Sequence, residues 1–181
     1  GLLVDVMTTN KTSFFREIAH FDFLGQTVLP KLTDRKLRFW SAACSSGEEP
    51  FSLAMFLLDR MPNIGSRDVK ILATDISPTI LGKAWEATYE EGMLQDLPPT
   101  FMRKYFVKAG NKNHRSYQVS GAVRKMVRIA RLNLLHPWPM KGSFNLIFCR
   151  NVMIYFDTPT QQKLVNRFWD ILQPGGYLFV G

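Results

Sequence analysis

The 181-residue sequence predicts an α/β fold, an open and mostly parallel sheet that is doubly wound and occupies one ordinary domain or a little more. Two observations carry this prediction. Short apolar runs alternate along the chain with segments of helical periodicity, and strands separated by helices pair in parallel through right-handed crossovers. Hydrophobic residues make up 46% and charged residues 21% of the chain, which is typical of a folded core rather than of disorder.

The predicted elements follow in order from these patterns. Thr12 is expected to cap a first helix in "TSFFREIAHFDFLGQTVLPKL", where apolar side chains recur at helical spacing. Later helices are predicted after Pro50, after Pro78 with Ser77 as its cap, and in "TPTQQKLVNRFWDIL". Residues 92–106 are expected to be irregular or weakly helical. Strands are predicted at residues 37–42, 69–77, 127–131 and 144–149, of which 69–77 and 144–149 are expected to be buried, and at "YLFV", which follows a turn at "QPGG".

One segment departs from this alternation. "RSYQVSGAVRKMVRIARLNLL" contains short β-rich runs, many cations and a glycine, so it predicts a small antiparallel insertion that returns through the strand at 127–131. The insertion adds a second, smaller sheet to the predicted fold.

The net charge and the cysteine content indicate which partners and which cellular compartment to expect. A net charge of +8 and a pI of about 9.7 favour an anionic partner such as nucleic acid, a membrane surface or an acidic protein. Cys44 and Cys149 are too few for a disulfide framework and lack metal-ligand spacing, so we expect a reducing, cytoplasmic setting and no metal site. No apolar run reaches the roughly 18 residues of a membrane span. The chain starts without Met and ends after a predicted strand, so we expect it to be a piece of a longer protein.

Polar residues gather at the predicted carboxyl ends of the strands, where open α/β sheets bind their ligands. Small and then acidic residues at 41–49 follow the first strand, and Asp75 ends the second. The third strand is followed by Asn133 and Leu134, and the fourth by Arg150, Asn151 and Tyr155. Agreement among four strand ends predicts a ligand site at this edge of the sheet.

The turn "SAACSSGEEP" indicates which ligand this edge binds. It lacks the glycine pattern of dinucleotide folds and of P-loops. Glu48 and Glu49 at the helix start would repel a pyrophosphate but suit a cationic ligand. Asp75 lies 28 residues beyond Gly47, where nucleoside-binding folds place an acid that accepts the ribose hydroxyls. These residues favour a cationic nucleoside such as S-adenosylmethionine, and a capped helix with a solvated glutamate pair is the alternative.

A set of motifs also resembles those of one family, the CheR chemotaxis receptor methyltransferases. In order they are "TTNKTSFFRE", "WSAACSSGEEPFSLAM", "ATDIS", "NLL", "FNLIFCRNVMIYFD" and "LQPGGYLFVG". The resemblance implies a class I, Rossmann-like methyltransferase fold that uses S-adenosylmethionine and releases S-adenosylhomocysteine. It further implies a cytoplasmic protein-glutamate O-methyltransferase that makes γ-glutamyl methyl esters on the cytoplasmic domains of methyl-accepting chemoreceptors. We expect a monomer without nucleic-acid partners or direct membrane insertion.

The resemblance also implies a domain division. Residues 1–24 would link from an N-terminal helical domain that this chain lacks, and residues 25–181 would form the methyltransferase domain, whose sheet continues past Gly181. Residues 105–127 would form a small β-subdomain, which some members use to grip a receptor tail peptide. The sequence leaves open whether this member does so.

Family site residues carry over onto matching positions of this sequence. The resemblance implies that Tyr155 stands near the methyl group. From the charge of a glutamate substrate we also expect Arg16 or Arg150 to steer it and Tyr155 to position it or the methyl group. A side chain longer than those at 42–47, or a β-branched one such as Val at Ala43, would occupy cofactor space. The implied cofactor contacts are Asn10, Thr12, Arg16, Ala42, Ala43, Cys44, Glu48, Glu49, Asp75, Asn133, Leu134, Arg150 and Asn151.

The chemistry of a glutamate substrate explains which catalytic groups are missing. A glutamate carboxyl has a reference pKa near 4.3 and is ionised at pH 7, so its methylation requires no general base. A methyltransferase acting on nucleic acid or another small substrate is the alternative, since net charge alone also fits it. Such enzymes tend to carry a [DN]PP[YF]-like turn where this chain has "CRNVMIY". A non-catalytic protein that only senses the cofactor would be expected to have lost polar residues at the strand ends.

Overall fold

The computed structural model describes residues 12–110 and 114–181, and within them it confirms the predicted fold class. The main sheet is parallel throughout, with the strand order β6-β2-β1-β7-β8. Its strands are β1 (Lys36–Ala42), β2 (Asp68–Asp75), β6 (Val127–Arg131), β7 (Phe144–Cys149) and β8 (Leu172–Val180). Because all five strands run the same way, their carboxyl ends lie at one edge.

The helices connect these strands, and the starts of two of them match local sequence signals. Ser77 caps α3 by accepting a hydrogen bond from the Ile80 backbone N–H at 3.3 Å, and the Asp157 carboxylate caps α6 through the Thr160 N–H at 3.0 Å. The helices are α1 (Ile18–Phe23), α2 (Glu48–Arg60), α3 (Pro78–Glu86), α4 (Pro99–Tyr105), α5 (Gly121–Arg124) and α6 (Thr158–Ile171). A π-helix at Leu24–Val28 and a 3₁₀ turn at Leu29–Lys31 extend α1, and further 3₁₀ turns are Ile64–Ser66, Glu91–Leu94 and Met153–Tyr155.

The sheet is covered on both faces, as its doubly wound connections require. Alternate residues of β1 enter different clusters: Phe39 packs with Phe51 of α2 on one face, and Trp40 packs with Phe168 of α6 on the other. All six residues of β7 are buried, which explains why all of them except Asn145 are apolar.

Two local predictions were wrong. Thr12 does not cap a helix, because Phe15 and Glu17 adopt left-handed backbone conformations with φ of 52° and 57°, and α1 begins only at Ile18. "QPGG" is not a turn that precedes the last strand. It lies inside β8, at an irregularity where the pairing with β7 shifts from Phe144–Leu172 to Leu146–Tyr177.

The predicted small antiparallel sheet is present, with the order β3-β5-β4. Its strands are β3 (Thr88–Glu90), β4 (Phe106–Lys108) and β5 (Ser116–Val119). β3 follows closely on α3, which ends at Glu86 because Ala87 is left-handed with a φ of 49°. The bounds 105–127 stay a prediction; they contain β4 and β5 but not β3.

The division between residues 1–24 and 25–181 also stays a prediction. In residues 12–24, the described part of the first segment, the side chains of Phe14, Phe21 and Leu24 pack in the main hydrophobic core. Within residues 12–110 and 114–181, every helix is too short or too polar to cross a membrane.

Candidate functional site

A cleft of about 660 Å³ opens at the carboxyl ends of β1, β2, β6 and β7. Its size falls within the roughly 300–1,000 Å³ that is usual for small-molecule sites. Ten residues implied by the resemblance line it: Thr12, Arg16, Ala43, Glu49, Asp75, Asn133, Leu134, Arg150, Asn151 and Tyr155. Residues that are far apart in sequence therefore meet at the predicted edge of the sheet.

The turn that follows β1, residues 43–47, is held in an unusual backbone conformation. Ala43, Ser45 and Gly47 all have left-handed backbones, with φ of 64°, 49° and 100°. The Cys44 N–H donates to the Thr74 carbonyl at 2.8 Å. Because β-branched residues are strongly disfavoured at positive φ, the backbone itself disfavours a β-branched residue at 43 and 45. A β-branched side chain at 43 would therefore strain the backbone, and the expectation that it would also occupy cofactor space stays a prediction.

Asp75 is fixed in orientation by two backbone amides. Its Oδ2 accepts the Ser45 N–H at 2.9 Å and its Oδ1 accepts the Ser77 N–H at 3.1 Å. A carboxylate oxygen has a second acceptor direction, so each oxygen retains capacity for a ligand hydroxyl. The carboxylate thus holds the turn and faces the cleft at the same time.

Glu49 and Arg150 form a buried ion pair in the cleft wall. Arg150 Nε lies 2.7 Å from Glu49 Oε2, and their side chains are only 3% and 11% exposed. The Ser41 hydroxyl donates to the other carboxylate oxygen of Glu49 at 2.6 Å. Arg150 also stacks against the ring of Phe148, with 4.9 Å between the guanidinium carbon and the ring centroid. These contacts fix the Glu49 carboxylate in the wall.

The leading segment, residues 12–17, is tied down beside this pair. The Phe15 N–H donates to Ser52 Oγ at 2.9 Å, and Arg150 Nη1 donates to the Arg16 carbonyl at 2.6 Å. Asn151 Nδ2 donates to Glu17 Oε1 at 3.1 Å. These bonds bring Thr12 and Arg16 to the cleft wall.

Four of the implied contact residues are not among those that line the cleft. Asn10 lies outside the described residues. Ala42, Cys44 and Glu48 are buried beneath the turn. Burial raises the pKa of the Glu48 carboxyl, although its hydrogen bond from the Ser46 hydroxyl acts in the opposite direction. The side chains of these three buried residues support the turn from below.

The two thiols are neutral at physiological pH. Burial, and then the negative charges of Asp75 and Glu49, raise the pKa of the Cys44 thiol well above its ordinary value. Burial, followed by Glu49, raises the pKa of Cys149 to about 12. Neither cysteine is therefore prepared to act as a thiolate nucleophile.

The sequence reasoning missed the apolar part of the cleft. It selected polar strand ends and passed over their apolar neighbours, although a nucleoside base requires apolar walls. Position relative to the strand ends was the signal that could have found them. The missed apolar lining residues are Ile76, Leu132, Leu135, Val152, Ile154 and Phe156.

The residues present fit a cationic nucleoside. Ile76, Leu132 and Leu134 supply apolar surface, and Asp75 and Glu49 supply carboxylates. The Ser45 hydroxyl is buried without a hydrogen-bond partner among the described residues, which leaves a polar group for a ligand to satisfy. Residues 12–110 and 114–181 contain no cluster of three His, Cys, Asp or Glu that could hold a metal ion.

Comparison with a solved structure agrees with this fold. The chain matches the glycopeptide N-methyltransferase MtfA, complexed with sinefungin, with a TM-score of 0.54 and 14% identity over 93% of this chain and 54% of that one. Together with the family match given next, the open parallel sheet and its cleft at the carboxyl edge identify a class I S-adenosylmethionine methyltransferase fold.

Sequence comparison then gives the family. A family model described as "CheR methyltransferase, SAM binding domain" matches residues 10–181, and the chain belongs to this family. Its cofactor is S-adenosylmethionine. The chain is 45% identical to a probable chemotaxis protein methyltransferase of Rhizobium etli, over 97% of this chain and 67% of that protein. It is 44% identical to a chemotaxis protein methyltransferase of Borreliella burgdorferi, over 99% of this chain and 65% of that protein. The chain thus spans about two thirds of the length of these relatives.

Proposed function

We propose that this chain is the catalytic domain of a protein-glutamate O-methyltransferase that esterifies glutamate side chains of methyl-accepting chemoreceptors. The observation that carries the proposal is a cleft that fits the cofactor but whose described lining residues include no histidine and no thiolate. The two carboxylates of the cleft wall, Asp75 and Glu49, are already engaged by backbone amides and by Arg150, so they are not placed to act as a general base, and such a site suits a substrate that is already anionic. The chemotaxis methyltransferase names of the relatives support the choice of partner.

The residues of the cleft have separable roles in this proposal. S-adenosylmethionine, when bound, supplies a methyl group that its sulfonium has already activated. Asp75 would accept hydrogen bonds from ligand hydroxyls, while the fixed Glu49 carboxylate would favour positive charge in the cleft. Asn133, Leu134 and the neighbouring apolar residues would form the wall against a nucleoside base. The rate would then come from holding the reacting groups in line and from excluding water, which supplies roughly 7–11 kcal/mol in favourable cases.

Tyr155 and Arg16 are the proposed substrate-positioning residues. Both line the cleft, and Tyr155 is half exposed on the 3₁₀ turn that follows β7. Arg150 is less suited to steering a substrate, because its side chain is buried and already paired with Glu49. We therefore assign the attraction of the glutamate carboxylate to Arg16 and its orientation to Tyr155.

The proposed partners are the cytoplasmic domains of chemoreceptors, and the proposed location is the cytoplasm. A net charge of +8 would attract an acidic receptor surface by the same long-range steering that would attract a phosphate backbone. We propose a monomer that binds no nucleic acid. Charge alone does not separate the two kinds of substrate, so the experiment must do so by product chemistry.

The product distinguishes the proposed function from its nucleic-acid rival. The protein is incubated with methyl-labelled S-adenosylmethionine and receptor-containing membranes, and the label is followed through brief alkaline treatment. A glutamyl methyl ester releases volatile methanol, whereas a methyl group on a base nitrogen or carbon stays bound. We expect label on protein that alkali releases and that disappears when the receptor glutamates are changed to alanine. Alkali-stable label, or label recovered in nucleic acid, would overturn the assignment.

A further inference from the structure

The small antiparallel sheet touches the turn that lines the cofactor cleft. Tyr89 of β3 is only 4% exposed, and its hydroxyl donates to the Ser46 backbone carbonyl at 2.7 Å. Ser46 is the immediate neighbour of Ser45, which lines the cleft. Across the contact, the Tyr89 ring packs edge-on against Phe14, with 4.9 Å between ring centroids. One tyrosine therefore joins the small sheet both to the turn and to the leading segment.

The turn has little room to move away from this contact. A Cβ on Gly47 would lie 2.9 Å from the Tyr89 hydroxyl and 2.8 Å from the ring of Phe51, so β3 and α2 enclose the turn from two sides. The Ser46 hydroxyl also donates to both carboxylate oxygens of Glu48, at 2.9 and 2.7 Å. A shift of β3 would thus be transmitted to the backbone at 45–47.

The position of β3 depends in turn on the rest of the small sheet. Its three residues pair with β5, with Tyr89 opposite Tyr117, and the Val119 N–H donates to the Ala87 carbonyl at 2.9 Å. A three-residue strand has no stability of its own. Its place against the turn is therefore maintained by β5.

We propose that the small sheet sets the geometry of the cofactor turn through Tyr89, which makes Tyr89 a positioning residue for S-adenosylmethionine binding. The turn is left-handed at three of its residues, and such a backbone persists only where its surroundings hold it. Because binding free energies are reciprocal, cofactor in the cleft must also stabilise the small sheet. The small sheet and the cleft are thus two coupled parts of one site.

The test compares two Tyr→Phe substitutions on the same sheet. Tyr89→Phe removes the hydroxyl that reaches Ser46, whereas Tyr117→Phe removes a hydroxyl that donates to Glu91 at 3.2 Å on the exposed side. Affinity for S-adenosylhomocysteine is measured by calorimetry on folded protein. We expect Tyr89→Phe to weaken binding about three- to tenfold, the effect of one hydrogen bond, and Tyr117→Phe to leave it within about twofold.

Hydrogen exchange supplies a readout that loss of overall stability would not reproduce. In the unmodified protein and in Tyr117→Phe, saturating S-adenosylhomocysteine should slow amide exchange in β3 and β5. In Tyr89→Phe the ligand should slow exchange in these two strands less, while it still slows exchange of the residues that line the cleft. Unchanged affinity in Tyr89→Phe, even with a lowered melting temperature, would overturn the proposal. Absence of ligand-induced protection in β3 and β5 of the unmodified protein would overturn it as well, and this measurement needs no variant.

Discussion

Replacing Arg150 by methionine tests whether the buried ion pair organises the cleft. Methionine keeps much of the side-chain length against Phe148, so the main loss is electrostatic. The Glu49 carboxylate, only 11% exposed, loses its 2.7 Å partner, and the Arg16 carbonyl loses its 2.6 Å donor. Removing one member of a buried pair typically costs about 3–5 kcal/mol, because the remaining charge is left uncompensated. We expect Arg150→Met to lose about 3 kcal/mol in the free energy of unfolding.

Urea denaturation measures how much the Arg150–Glu49 ion pair contributes to the free energy of unfolding. Four proteins are compared: the unmodified chain, Arg150→Met, Glu49→Gln and the double variant. If the pair is the cause, the double variant should be more stable than the sum of the single losses predicts, by about 1.5 kcal/mol or more. Arg115→Ala is the matched control, since its ion pair with Glu91 at 3.5 Å is exposed and should contribute less than about 1 kcal/mol. A loss in Arg150→Met no larger than that of the control, or additive single losses, would refute the reasoning.

Three further predictions concern the turn and its supports. Asp75→Asn should weaken S-adenosylhomocysteine binding by about 1–3 kcal/mol, because ligand hydroxyls lose a charged acceptor, and unchanged affinity in calorimetry would remove Asp75 from the site. Ala43→Val should lower the free energy of unfolding by about 1–3 kcal/mol through backbone strain at a φ of 64°, whereas Ala43→Gly should not; equal stability of the two variants in urea would contradict this. Burial raises the folded-state pKa of Glu48 above 4.5, so the stability it contributes is present below pH 4.5 and is lost as the pH rises through the folded value. Glu48→Gln should therefore gain in melting temperature relative to the unmodified chain as the pH rises above 4.5, and a constant difference would contradict this.

The sequence predicted those elements whose determinants are local. β7 has the predicted bounds, because a largely apolar run between polar residues identifies a buried strand directly, and β6 also has them although Ile129 is its one buried residue. α3 starts where Ser77 and Pro78 predict it. By contrast, β3 is only three residues long, and its partner β5 lies far along the chain, so no local pattern marks it. Pairing over such a distance is a property of the tertiary fold.

In the candidate site, too, some features could be predicted from the sequence and others depend on the tertiary fold. Polar residues at the strand ends were visible, since parallel strands must bring their carboxyl ends together. The conformation of Phe15 and Glu17 was not visible, because left-handed backbone at these residues is imposed by contacts such as the bond from the Phe15 N–H to Ser52. Nor could the sequence reveal that Arg150 pairs with Glu49, a partner 101 residues away. That pairing depends on two strand ends meeting in space.

The central position of β1 has a consequence for synthesis of the protein. β1 pairs with β2 on one side and β7 on the other, and the bond from the Arg38 N–H to Asn145 joins residues 107 positions apart. At a translation rate of about 5–20 residues per second, the β7-facing edge of β1 stays uncovered for roughly 5–20 s after it leaves the ribosome. During this interval an apolar strand with unpaired amides is open to wrong partners. The cofactor cannot shorten the interval, because Arg150 and Asn151, which complete its cleft, are synthesised after β7 itself.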